Sequence, residues 1–269
     1  MTALAPSTAT DRSWWKLFWH VFKYQNLIFL RNPFSAFFSL AFPLMFLLLF
    51  GSLFGNEVVD QATGVRAVQF LVPSMVLFAV VSSTYINLAI IVAINRDDGV
   101  LKRVRGTPLP STVYMAARIA SAVFFALVAV LVQILAGVLI FDVQIIWRLA
   151  PAAVVTLLLG IACFCALGVA VAAVIPNGET APAVANATAL PILFISGVFI
   201  PLDQAPSWLR AIGSVFPVRH TFLALRDTFD PYFQGSGFAW GNLAVVALWT
   251  LFGVVIAVRF FRWEPRTKG

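Results

Sequence analysis

The sequence predicts an all-α integral membrane protein of six transmembrane helices. An N-terminal amphipathic interfacial helix, a short charged helix in a cytoplasmic turn and an external re-entrant helical hairpin complete it. Three observations predict this class. Hydrophobic residues make up 61% of the 269 and charged residues 11%, against about 45–50% and about 25% in soluble domains. Six apolar runs reach the roughly 20 residues that a bilayer crossing requires: 34–54, 70–94, 112–140, 149–175, 181–200 and 239–261. The basic residues are also unevenly placed. With the N-terminus inside, thirteen fall inside (Arg12, Lys16, Lys23, Arg31, Arg96, Lys102, Arg103, Arg105, Arg118, Arg259, Arg262, Arg266, Lys268). Five fall outside (Arg66, Arg148, Arg210, Arg219, Arg226), while the acids split five and six. The net charge of +7 is therefore a positive-inside signature with both termini cytoplasmic, and not a nucleic-acid-binding surface.

Residues 1–11 are polar and the first apolar run begins past residue 30, so no cleavable signal peptide is expected. Trp15, Phe18, Trp19 and Phe22 recur at i, i+3, i+4, i+7, with Lys16, His20 and Lys23 on another face. That pattern suits a helix lying in the cytoplasmic headgroup layer. Arg31-Asn32-Pro33 ends it, and Pro43 can kink the first span. Residues 55–69 form a short outside loop. In the second span, Ser83 and Asn87 share a face and meet either another helix or a cargo. In the fifth run, small residues beside Asn186 and Thr188 allow close helix approach, and Pro191 implies a bend.

Ser196-Gly197-Val198-Phe199-Ile200-Pro201 then leads into two apolar segments, 205–216 and 218–229, too short to span. Pro201, Pro206, Pro217 and Pro231 punctuate them. Asp203, Arg210, Arg219, Arg226, Asp227 and Asp230 make a full crossing costly, so the pair is expected to dip in from outside. The whole chain, 1–269, reads as one domain: a tail and interfacial helix (1–32) and a six-span core (33–269).

Much chemistry is excluded. Cys163 and Cys165 stand two apart on one helix, point apart, and read as small apolar fillers. The span interiors carry no Asp, Glu, Lys or Arg, with Arg118 near a membrane face. They therefore lack the groups that usually couple transport to an ion gradient. There is no phosphate-cradling G-x-x-x-x-G-K-[ST] loop, no metal constellation and no hydrolase motif. No catalytic residue, metal site or cofactor is expected in this chain, so any energy must come from another protein.

The one dense charged insert is residues 95–108. Asp97 and Asp98 open it and Lys102, Arg103 and Arg105 close it, the order that a helix dipole favours. Gly106 can leave the helix in the left-handed region and Pro108 prevents resumption. Leu101 and Val104 share a face that a soluble partner can grip. The plainer alternative is a loop whose bases only set topology.

These residues together resemble the membrane subunit of type-2 ABC exporters, the group that includes daunorubicin-type drug-efflux and polysaccharide or lipid export permeases. The resemblance runs nearly full length. It rests on Arg31-Asn32-Pro33, the segment from Arg96 to Pro108, and Ser196-Gly197 followed by Pro201. It continues through Pro206-Ser207-Trp208-Leu209, Phe216-Pro217, Leu225-Arg226 and the closing Arg259-Phe260-Phe261-Arg262. Lys102 and Arg103 stand where the family often has an acid.

The resemblance implies an ATPase-coupling helix formed by Arg96, Asp97, Asp98, Gly99, Leu101, Val104, Thr107 and Pro108. It implies an external gate at Ser196, Gly197, Pro201, Pro206, Trp208, Pro217 and Arg226, with Ser83, Asn87, Asn186 and Thr188 as pathway candidates. It also implies two copies of a separate ATPase, which holds ATP and Mg, and a second permease copy, identical or similar. The expected location is the plasma or inner membrane, in contact with lipid. Cargo would be a hydrophobic or amphipathic drug, antibiotic, lipid or glycolipid. The rival reading is an intramembrane lipid-modifying enzyme or assembly factor without ATP coupling.

Overall fold

The computed structural model describes residues 14–60, 64–200, 202 and 205–261. Pro201, an expected gate residue, lies outside them, as do Arg12, Asp203 and the C-terminal basic residues after Phe261. Helix α1 is Trp14–Arg31. The candidate crossing helices are α2 (residues 33–54, with Phe37–Phe54 as its apolar part), α3 (Ala67–Asp97), α5 (Ser111–Phe141), α6 (Ala150–Val174) and α10 (Trp240–Phe260). These five are long and apolar enough to cross a membrane. Between them lie α4 (Val100–Arg105), α7 (Ala181–Ile195), α8 (Ser207–Gly213) and α9 (Pro217–Asp227). The 55–69 loop contains an antiparallel pair, β1 (Val58–Asp60) and β2 (Val65–Arg66).

The bundle has two ends, one carrying α4 and the other carrying the β-hairpin. Helix α3 is the central strut, packed by α2, α5 and α6, and α6 also runs along α10. Val72, Met75, Val76, Leu77 and Val80 of α3 are buried, whereas Leu139, Leu248, Leu251 and Val258 are exposed. Apolar residues covering the outside suit a protein whose solvent there is lipid. Exposed Trp147 and Trp240 stand near helix ends, where aromatic rings favour the interface.

Helix α1 is amphipathic as expected. Trp15 and Trp19 are exposed, while Gln25 and Phe29 are buried against α5. Phe29 stacks on Phe125 at 3.9 Å. Ser121 Oγ donates to Asn26 Oδ1 at 2.5 Å.

Two π-helical turns interrupt the spans, at Phe37–Ala41 in α2 and Ser82–Ile86 in α3. The first answers Pro43, which has no N–H for the carbonyl four residues before it, that of Ser39. Ser83 Oγ, from the second turn, donates to Ser39 O at 3.3 Å. The second turn also pushes Tyr85 towards α6. There a Cβ on Gly168 would stand 2.8 Å from Tyr85 O, so only glycine allows the approach.

The fifth expected span, 181–200, is shorter than the sequence implies. Helix α7 has 15 residues, about 22 Å of rise against a hydrocarbon core of about 30 Å. Ser196 ends it and Gly197 turns away with φ 87°. The α8–α9 hairpin meets this shortened end. A Cβ on Gly213 would lie 2.2 Å from Ile195 O, so the two backbones touch there.

The hairpin tip is held from the other side by Trp249, whose indole N–H donates to Val215 O at 2.9 Å. Trp249 stands about 14 Å along α10 from Trp240, at 1.5 Å per residue. The tip therefore lies beside the middle of α10. His220 Nε2–H donates to Ser214 O at 2.8 Å and Nδ1 pairs with the Asn242 side-chain amide at 2.8 Å.

Candidate functional site

At the α4 end, the charged insert is two elements instead of one helix. Asp97 ends α3 and Asp98 is its C-cap. Gly99, at φ 69°, turns the chain in the left-handed region and starts the six-residue α4. Gly106, assigned that turn from the sequence, has φ −81°. The acids thus close a span and do not open α4. The reason is local: Gly99 precedes the first residue that can restart a helix, and no L side chain reverses the chain so cheaply.

Arg96 is 1% exposed. Its Nη1 donates to Ala172 O at 2.8 Å, and its Nη2 to Ile175 O. A guanidinium on the last carbonyls of α6 satisfies orphan acceptors and meets the negative end of that helix dipole. Asp97 Oδ2 accepts the Gly178 N–H at 3.0 Å. Arg96 and Asp97 therefore clasp the turn between α6 and α7. Leu101 is 0% exposed, because α4 lies back on α3 and α5 and that packing needs an apolar anchor. Val104 is half-buried, and Asp98, Lys102, Arg103, Thr107 and Pro108 are exposed. Thr107 Oγ1 donates to Val104 O at 2.7 Å and accepts the Leu109 N–H at 3.3 Å, closing the helix.

Arg118 stands about 10 Å from the start of α5, near one end as expected. It is 3% exposed and joins three elements, donating to Gln25 Oε1 at 3.0 Å and Asn87 Oδ1 at 2.8 Å. Asn87 is thereby a structural acceptor. The four pathway candidates bond to different partners. Ser83 bonds α2, Asn186 Nδ2 donates to Pro182 O of its own helix at 2.8 Å, and Thr188 pairs with Tyr85 at 2.7 Å. Helical spacing gave Ser83 and Asn87 a common face, but which neighbour each residue meets is a tertiary matter.

Thr188 and Tyr85 do border a cavity of about 280 Å³ beneath the hairpin tip, with Phe164, Phe216, Pro217 and Trp249 among its apolar walls. Tyr85 was not singled out from the sequence. Its place after a polar run in a span was the available signal.

At the β-hairpin end lies a larger chamber of about 660 Å³, walled by α2, α3, α9 and residues 197–199. Of the expected gate residues, Gly197 and Arg226 line it. Ser196 is buried and its Oγ donates to Ile192 O at 2.5 Å, while buried Pro217 begins α9. Pro206 and Trp208 face outwards, with Trp208 62% exposed. Arg226 Nε stands 3.8 Å from Asp227 Oδ1. Burial pushes the Asp227 carboxyl up, against the opposing pull of Arg226.

Among the described residues, no group of three His, Cys, Asp or Glu side chains is placed to hold a metal ion. The profile of the ABC-2 type transporter family matches residues 16–229 of this chain. The chain is also similar to a Bacillus subtilis (strain 168) protein named "Putative transport permease YvfS", 26% identical over 150 residues. That match covers 55% of this chain and 60% of the relative's length.

Proposed function

Because the chain belongs to the ABC-2 type transporter family, we propose that it is the permease subunit of an ATP-driven exporter. It carries a hydrophobic or amphipathic cargo, such as a drug, antibiotic, lipid or glycolipid, out of the cytoplasm or inner leaflet. Two copies of a separate ATPase supply the energy and hold ATP and Mg. A second permease, identical or similar, completes the pathway. In this reading the α4 end is cytoplasmic and the β-hairpin end external.

The observation that carries the reading is the mounting of α4. Its exposed side presents Lys102, Arg103 and the edge of Val104, while Leu101 pins it to α3 and α5. Beside it, Arg96 and Asp97 fasten the end of α3 to the α6–α7 turn. A push on α4 as the ATPases close is thus delivered to α3, α6 and α7 together. Helix α7 abuts the hairpin at Gly213, so the displacement reaches the external end and changes the affinity of the pathway for cargo.

The test is the amount of ATPase that co-purifies with the permease, with export measured beside it. Val104→Asp, which puts a charge at the contact, should lower both. Arg103→Ala should change them little. Val104→Asp with full ATPase retention and normal export would leave residues 95–108 as a topogenic loop.

A further inference from the structure

The chamber at the β-hairpin end contains a cation that no described residue pairs with. At about 660 Å³ it falls within the range of small-molecule sites. Phe50 and Phe54 of α2, Phe70 of α3, and Phe199 and Phe222 line it. Arg219, near the start of α9, extends along this wall. Its Nη1 would lie 3.7 Å from a Cβ on Gly197. Arg219 makes no hydrogen bond or ion pair among the described residues.

The other charges of the chamber stand apart from it. Asp227 lies about 12 Å further along α9 than Arg219, at 1.5 Å per residue, and is beside Arg226. Asp230 Oδ1 accepts the Tyr232 N–H at 3.0 Å, and Glu57 belongs to the β-hairpin loop. Among the charges lining the chamber, Arg219 is thus the one nearest the start of α9, and the acids lie at the far end of α9, after it and in the β-hairpin loop. A guanidinium held against apolar walls without a counter-charge is costly, and that cost falls when an anion enters.

We propose that this chamber binds an amphiphile bearing one anionic group, which pairs with Arg219 while its apolar part lies against the phenylalanines. Arg219 selects for charge and the aromatic wall for chain. The step from ligand to cargo rests on the permease reading, but the binding itself does not.

The test uses the full chain in phosphatidylcholine nanodiscs, titrated with a dansyl-labelled long-chain carboxylic acid and with its methyl ester. A charge-assisted bond in such a site makes the acid bind about tenfold tighter or more than the ester. Arg219→Gln should abolish that preference and leave ester binding unchanged, and Arg219→Lys should keep most of it. Equal affinity for acid and ester in the unmodified chain would overturn the proposal, even if Arg219→Gln failed to fold. So would a folded Arg219→Gln protein that retains the preference. Tighter binding of the matching dansyl-labelled amine would assign the chamber to its acids and overturn it as well. No ATPase or nucleotide enters the assay. Lost binding with normal ATPase co-purification sinks only this inference, whereas the reverse sinks the permease reading alone.

Discussion

Leu101 has no solvent exposure, so a charge placed there must be buried with it. Leu101→Asp should cost at least the roughly 2–5 kcal/mol of a large-to-small core change. The readout is a fall in melting temperature and in the yield of monodisperse protein. Val104→Asp, on the half-buried edge of the same helix, should leave both near normal. The contrast separates an anchor from a contact, which spacing alone could not do, because Leu101 and Val104 share a helix face. Arg96 makes an independent case. Each of its bonds to Ala172 and Ile175 joins a charge to a carbonyl and contributes about 1.5–3 kcal/mol. Arg96→Ala should therefore destabilise the protein measurably. In whatever folds, cargo-stimulated ATP hydrolysis should fall further than ATPase binding. Equal loss of both would show that Arg96 only holds the fold. By contrast, Cys163 and Cys165 are buried and unbridged, and replacing both with Ala should leave transport near wild type.

Between elements, α7 and the hairpin meet backbone to backbone at Gly213. Gly213→Ala would put a Cβ 2.2 Å from Ile195 O, whereas a Cβ on Gly241 meets nothing within 4 Å. Gly213→Ala should unseat the hairpin and abolish export, with Gly241→Ala as the neutral control. Normal export from Gly213→Ala would sink the idea that the hairpin must rest on α7 to act as a gate. Gly197 acts through its backbone. Its φ of 87° costs a side-chain-bearing residue roughly 1–2 kcal/mol. A Cβ there meets only ordinary contacts of 3.6–3.7 Å. Gly197→Leu should therefore lose export through strain and a filled chamber, with the ATPase still bound.

Across the whole molecule, the positive-inside asymmetry predicts opposite exposure of the two ends. In a background lacking Cys163 and Cys165, single cysteines at Gln61 and Lys102 should label from opposite sides of the membrane. Labelling from one side would refute the proposed topology. The broad architecture was legible because burial in lipid demands long apolar helices, and composition alone declares them. The amphipathic stripe of α1 and the short, proline-bounded helices α8 and α9 were legible for the same reason. Each is a local pattern of period and length. The length of α7, the left-handed turn at Gly99 and the inward faces of Arg96 and Leu101 were not. Each depends on what packs against the segment: α7 stops where the hairpin enters, and Arg96 turns in because the carbonyls of α6 lie beside it. Arg219 shows the limit most plainly, since its sequence neighbours mark it only as an expensive residue in a short helix. Sequence determined that this chain is a helical membrane protein with a charged turn and two short, proline-bounded helices before its last span. Tertiary structure alone decided which polar groups meet, and that Arg219 meets none among the described residues. Helical periodicity sets the face on which a residue lies, and only packing sets what that face meets.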